Sequence, residues 1–174
     1  MTILLFILSA AMSAFAQDAS VVRIIVDKSD FKLYVFRSDS LIRTYSAAIG
    51  KVEGDKQKVG DNRTPEGEFS ITRIQDSRSW THDFKDGKGP IAGAYGPWFL
   101  RLDTGADKTT SRLRVEAASA RRRGKAWTGI GIHGTHDPNS IGTRVSEGCV
   151  RLRNDDIQEL KHLVKAGTLV TIRE

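Results

Sequence analysis

Residues Gly131–Arg153 read GIHGTHDPNSIGTRVSEGCVRLR, and they hold the only cysteine of a 174-residue chain. The stretch opens as a strand, Gly129–His133, that runs straight into an imidazole. Gly134 then breaks it, and Thr135–Val145 forms a polar loop. An extended segment follows, carrying Cys149 sixteen positions after His133. A thiol attacks as its thiolate, and an ordinary cysteine with a pKa of about 8.5 is mostly protonated at neutral pH. A nearby imidazole can take that proton and later return it to a leaving amine. A histidine at a strand end is held by the sheet while the loop beyond it leaves room for a substrate. His133 is therefore the candidate base and Cys149 the candidate nucleophile.

Two neighbours extend this reading. Gly148 lets the backbone approach a scissile carbonyl closely. The Gly148 and Cys149 amides are then candidates for an oxyanion hole, where one donor is worth roughly 3–4 kcal/mol. Arg151 lies two residues beyond Cys149 on an extended segment, so it shares a face with the thiol and suits an anionic substrate group. Blander readings stand beside these: a structural histidine, a surface arginine, and a cysteine acting as a small buried hydrophobe. His133, His136 and Cys149 could also be read as metal ligands. Their spacing falls on the turn Thr135-His136-Asp137-Pro138 rather than on a helix face, which weighs against a metal.

Upstream, the pattern is that of strands. Val21–Val26 is a β-branched run, and Phe31, Leu33 and Val35 recur at period two beyond the turn Asp27–Asp30. Leu41–Ile49 reads as a third strand closed by Gly50. A polar stretch, Lys51–Arg63, leads to the turn signature Thr64-Pro65-Glu66-Gly67, and Glu68–Ile74 resumes as a strand. Gln75–Gly96 has no clear period but carries Trp80, Phe84 and Tyr95. It reads as a long surface excursion bordering the site. Pro97–Leu102 is a further strand. Downstream, Asn154 is placed to cap a helix with Asp155 and Asp156 in its first turn. Ile157, Leu160, Leu163 and Val164 form its apolar face, and Gly167 ends it. Thr168–Ile172 closes the chain as a strand. The expected fold class is mainly β with one packed C-terminal helix.

Met1–Ala16 (MTILLFILSAAMSAFA) ends in the small-x-small pattern of a signal-peptidase site. It is shorter than the roughly 20 apolar residues of a membrane-spanning helix. A signal peptide over residues 1–16 and a single domain over 17–174 are expected, with no integral membrane segment after cleavage; a retained anchor is the alternative. The net charge of +6 suits attraction to polyanions. The densest basic run, Arg121-Arg122-Arg123-Gly124-Lys125, lacks interleaved aromatics and reads as a loop, so nucleic acid is not an expected partner.

The segment resembles the catalytic signature of the L,D-transpeptidase family: His-Gly-Thr/Ser after a strand, a variable loop, then Ser-x-Gly-Cys-Val/Ile-Arg-Leu/Met. Here these are His133-Gly134-Thr135 and Ser146-Glu147-Gly148-Cys149-Val150-Arg151-Leu152. The turn Thr64-Pro65-Glu66-Gly67 with Phe69 is similar to the family's Thr-Pro-x-Gly-x-Phe. The resemblance implies a β-sandwich-like catalytic domain and a cysteine-dependent reaction, with no cofactor or metal, on peptidoglycan stem peptides in the periplasm or cell envelope. Cys149 would attack the carbonyl on the L-centre of the third stem residue and expel D-alanine. An amine from a neighbouring stem would resolve the thioester. His133 would shuttle the proton, oriented by the Gly134 carbonyl. Ser146 would help position the site, Arg151 would hold the donor peptide's carboxylate or order the catalytic loop, and Thr135 would contact the substrate. Hydrolysis of the same bonds, as an L,D-carboxypeptidase or endopeptidase, uses the same pair, and a non-catalytic wall-binding module is the reading from another class. One residue departs from the pattern: many members have His where this chain has Glu147, a carboxylate beside a thiol that must ionise.

Overall fold

The computed structural model describes residues 21–105 and 129–174. The expected signal peptide and the basic run Arg121–Lys125 lie outside them. The chain is mainly β. In order it forms β1 (Val22–Asp27), β2 (Lys32–Arg37), β3 (Ser40–Ser46), β4 (Ile49–Gly50), β5 (Gly67–Asp76), β6 (Thr81–His82), β7 (Ile91–Ala92) and β8 (Trp98–Leu102). Then come β9 (Gly131–His133), β10 (Arg144–Ser146), β11 (Val150–Arg151), the helix α1 (Asn154–Leu163) and β12 (Leu169–Arg173). An eight-stranded sheet runs β11-β9-β8-β5-β12-β1-β2-β3, and the pairs β4–β10 and β6–β7 stand apart.

Period-two patterning explains why one face of this sheet is the core. Val35 pairs with Ile24, Ile24 with Val170, and Val170 with Phe69. Across the second half, Ile71 pairs with Leu102, Leu100 with Ile132, and Ile132 with Val150. All of these are buried. Each contributes roughly 1.5–3 kcal/mol by leaving water. The same row carries the site: because Ile132 and Val150 lock into the core, His133 and Arg151 are brought side by side in register one residue later. Helix α1 covers the row with fully buried Ile157 and Leu160 and packs on β8.

The third strand and the helix differ from the sequence expectation. The third strand stops at Ser46 instead of running to Ile49. Ala47, Ala48 and Ile49 are all fully buried, and three consecutive buried residues do not fit an alternating, half-solvated strand. The chain turns inward instead. Ala48 exchanges two backbone hydrogen bonds of 2.8 Å with Arg151, and β4 pairs with β10. Gly50 lies so close to the Asn62–Thr64 backbone that a Cβ would sit 2.5 Å from the Asn62 carbonyl oxygen.

Asn154 is not a helix cap. Its side-chain oxygen accepts the Thr135 amide at 2.9 Å, while Arg153 holds the cap position without a side-chain bond. The helix also ends earlier than Gly167, at Leu163, where extended Val164 leaves it. Gly167, at φ +89°, turns the chain into β12, and its amide donates to the Ile71 carbonyl at 2.8 Å. Among the described residues no helix is long and apolar enough to cross a membrane.

Candidate active site

A cleft of about 490 Å³ opens at the ends of β9 and β11. It brings together His133, Ser146, Glu147, Cys149 and Arg151 from the sequence reading, joined by Lys56 and by His82, Phe84 and Tyr95 of the excursion. Gly134 and Thr135 do not reach it. Thr135 is buried and its hydroxyl is consumed by the Asp137 backbone, accepting that amide at 3.0 Å. Gly134 is packed against Gly96 and Asn154, where a Cβ would meet the Asn154 oxygen at 2.4 Å. Both residues hold the turn behind the imidazole.

His133 ends β9 and is 2% exposed. Its ring stacks on Phe99 (5.2 Å between centroids, 8° between planes) and meets the edge of Tyr95 at 5.0 Å. Nδ1 lies 2.6 Å from the Gly134 carbonyl. A carbonyl only accepts, so Nδ1 carries the proton and Nε2 is left as the basic nitrogen. Burial, then the Arg151 charge, lowers the His133 pKa to about 3, against the opposing pull of the Gly134 carbonyl. The ring is neutral at neutral pH.

Cys149 is half-buried. Gly148 before it has φ +135°, and a Cβ there would lie 2.8 Å from the Arg63 carbonyl, so only glycine fits. The thiol donates to the Gly129 carbonyl at 3.3 Å rather than to the imidazole. Burial pushes its pKa up, while a backbone hydrogen bond from the Gly131 region and the Arg151 charge oppose this. Thiol and imidazole are thus both neutral at rest.

Ser146 staples the turn: its hydroxyl donates to the Cys149 carbonyl at 2.5 Å and accepts the Gly148 amide at 3.1 Å. The Gly148 amide is therefore engaged by Ser146 in this state. Arg151 is 5% exposed, and its guanidinium carbon lies 5.2 Å from the Phe84 ring centre. Its Nε is buried without a hydrogen-bond partner among the described residues. A buried donor of this kind is costly unless a ligand completes it.

Glu147 turns into the cleft. Its carboxylate accepts from His82 Nε2 at 3.1 Å, and His82 Nδ1 meets the Tyr95 hydroxyl at 3.0 Å. The sequence reading missed His82 and Lys56. Lys56 pairs with Asp61 at 2.7 Å, and Asp61 also collects the amides of Gln57, Lys58 and Arg63. That organises the polar loop beside the thiol. No cluster of three or more His, Cys, Asp or Glu side chains is placed to hold a metal among the described residues.

A mainly β domain that sets a histidine and a lone cysteine into one charged cleft, over a Thr-Pro-x-Gly turn, defines a narrow class. Residues 21–172 match the family model of the L,D-transpeptidase catalytic domain, and the chain belongs to that family. It is 30% identical over 150 residues to YkuD of Bacillus licheniformis, which is named as an L,D-transpeptidase; the match covers 86% of this chain and 64% of that one. Its fold is similar to the solved structure of Bdellovibrio bacteriovorus Bd1075, with a TM-score of 0.56 and 28% identity over 88% of this chain and 48% of that one. An L,D-transpeptidase from Mycobacterium smegmatis shares the fold, with a TM-score of 0.56 and 19% identity over 88% and 58% of the two chains. The chain therefore spans about half to two thirds of the length of these relatives.

Proposed function

We propose that this domain is a cysteine acyltransferase that cross-links peptidoglycan stem peptides through a thioester on Cys149. The observation that carries the reading is the fixed tautomer of His133. Its Nδ1–H is committed to the Gly134 carbonyl, so a basic Nε2 shares a cleft with the thiol. A substrate carbonyl draws the thiol away from Gly129. The proton passes to Nε2 as sulfur bonds to the carbonyl carbon on the L-centre of the third stem residue. The Cys149 amide is the candidate donor to the developing oxyanion. Collapse breaks the peptide bond, and D-alanine leaves with the proton from His133. An acceptor amine then attacks the thioester, gives a proton to His133 and forms the new amide, while the released sulfur regains that proton. Gly148 and Ser146 hold the loop geometry, and the unsatisfied Arg151 Nε suits a donor carboxylate.

Neutral resting groups suit this cycle, because a charged pair would have to be held in a buried site without substrate. Action in the periplasm or cell envelope follows from the same reading together with the signal-like segment Met1–Ala16. The test is incubation of the protein with purified peptidoglycan fragments, with mass spectrometry of the products. Dimers supports transpeptidation and trimmed monomers hydrolysis, whereas unchanged fragments leave only binding. Loss of D-alanine that persists in Cys149→Ser overturns the nucleophile assignment.

A further inference from the structure

Glu147 is the sole carboxylate among the described residues lining the cleft, which otherwise presents Lys56 and Arg151. Opposite charges thus flank Cys149 at two residues on either side. A carboxylate beside a thiol opposes its ionisation, so Glu147 hinders the first half of the reaction proposed above. It is nevertheless held in place. The Glu147 carboxylate is an acceptor, so His82 Nε2 carries a proton and donates to Oε2 at 3.1 Å. On its other side the His82 ring meets Tyr95, whose hydroxyl lies 3.0 Å from Nδ1. The His82 ring is braced in turn by the edge-on Phe84 ring at 4.5 Å. Oε1 of this half-exposed carboxylate remains for a ligand. Once Cys149 is acylated, no thiolate is left for Glu147 to oppose, and the group still to arrive is a cation.

We infer that Glu147, positioned by His82 and Tyr95, docks the ammonium group of the acceptor amine and selects cationic acceptors over water. This rests on the acyl-transfer reading. A primary ammonium offers three donors and one positive charge, which a single carboxylate oxygen two residues from the acylated sulfur receives. The docked group sheds one proton to water by way of that carboxylate, and the free amine then attacks the thioester. His133 Nε2 takes the second proton as the amide forms. Arg151, on the other flank, repels the same group and keeps the two substrates apart.

The test acylates the protein with a tetrapeptide donor. It then measures how the acyl-enzyme partitions between water and two nucleophiles, a D-amino-acid amide that is cationic at the assay pH and hydroxylamine, which is neutral there. Each partition is a ratio of products from one acyl-enzyme, so altered donor binding or partial unfolding cancels. Glu147→Gln lowers the partition to the cationic amine about tenfold, the factor expected for one lost charge-assisted contact, and moves hydroxylamine less than about twofold. His82→Ala lowers the cationic partition as well, and His82→Gln, which retains a donor to the carboxylate, restores most of it. Parallel falls for both nucleophiles, or no fall for either, overturn the inference while leaving the acyl-transfer reading intact. Wild-type protein that forms no adduct on Cys149 overturns both.

Discussion

Burial of His133 makes acid the sharpest probe of this fold. The imidazole has an ordinary pKa of 6.5 and is lowered to about 3 in the folded protein. Between those values the unfolded chain binds a proton that the folded one does not, so stability falls as pH falls. The penalty grows as the logarithm of the protonated excess in the unfolded state. It is negligible at about pH 7.5 and reaches about 2 kcal/mol at pH 5. The figure depends little on the folded value, provided that it lies well below 5. Urea denaturation at both pH values, on wild type and on His133→Asn, isolates the effect. Asparagine does not titrate, and the lowered carboxylates such as Asp27 and Glu174 are common to both proteins. The wild type is expected to lose about 2 kcal/mol more than the variant between the two conditions. Parallel losses would show that His133 is solvated or ion-paired, and the neutral-base account would fail.

The thiol should behave as a protonated, buried group. Its alkylation by iodoacetamide is expected to climb steadily from about pH 6 to about pH 9, and to run slower at neutrality than that of free cysteine. A plateau at low pH would reveal a resting thiolate–imidazolium pair instead. Asn154→Ala strands the buried Thr135 amide and should destabilise by about 1–2 kcal/mol in urea melts; a change below about 0.3 kcal/mol would mean water replaces the bond. Gly131→Ala puts a Cβ 2.3 Å from Phe99 Cε1 and 2.7 Å from the Leu100 carbonyl. It should cost about 1–3 kcal/mol and displace the ring stacked on His133, seen as a changed imidazole chemical shift. An unshifted imidazole would show that Phe99 does not set the ring.

What was legible in the sequence follows its periodicities. β1, β2, β5 and β8 alternate or run apolar between clear turn residues, so they were read within a residue or two, and the 3.6-residue stripe marked the helix, although it ends at Leu163, short of Gly167. Ala47–Ile49 misled because a consecutive apolar run extends a strand on paper, whereas these residues turn inward to meet Arg151. Asn154 has the chemistry of a cap, and only the proximity of Thr135, nineteen residues earlier, diverts it. That His133 and Cys149 share one cleft was readable because strand, loop and glycine mark their positions. His82 was not, since it lies in an aperiodic excursion and its meaning comes from Glu147, sixty-five residues away. Thr135 was given a place at the substrate by the resemblance, whereas its side chain is buried and its hydroxyl satisfies its own turn.

The central claim is that Cys149 carries the acyl group and His133 moves its proton. Intact-protein mass spectrometry of the protein mixed with a stem tetrapeptide tests it most directly. The wild type should gain the mass of the donor less D-alanine, mapped by digestion to Cys149, His133→Asn should gain it far more slowly, and Cys149→Ser should show no thioester. An adduct on another residue, or D-alanine released at the wild-type rate by Cys149→Ser, would contradict it.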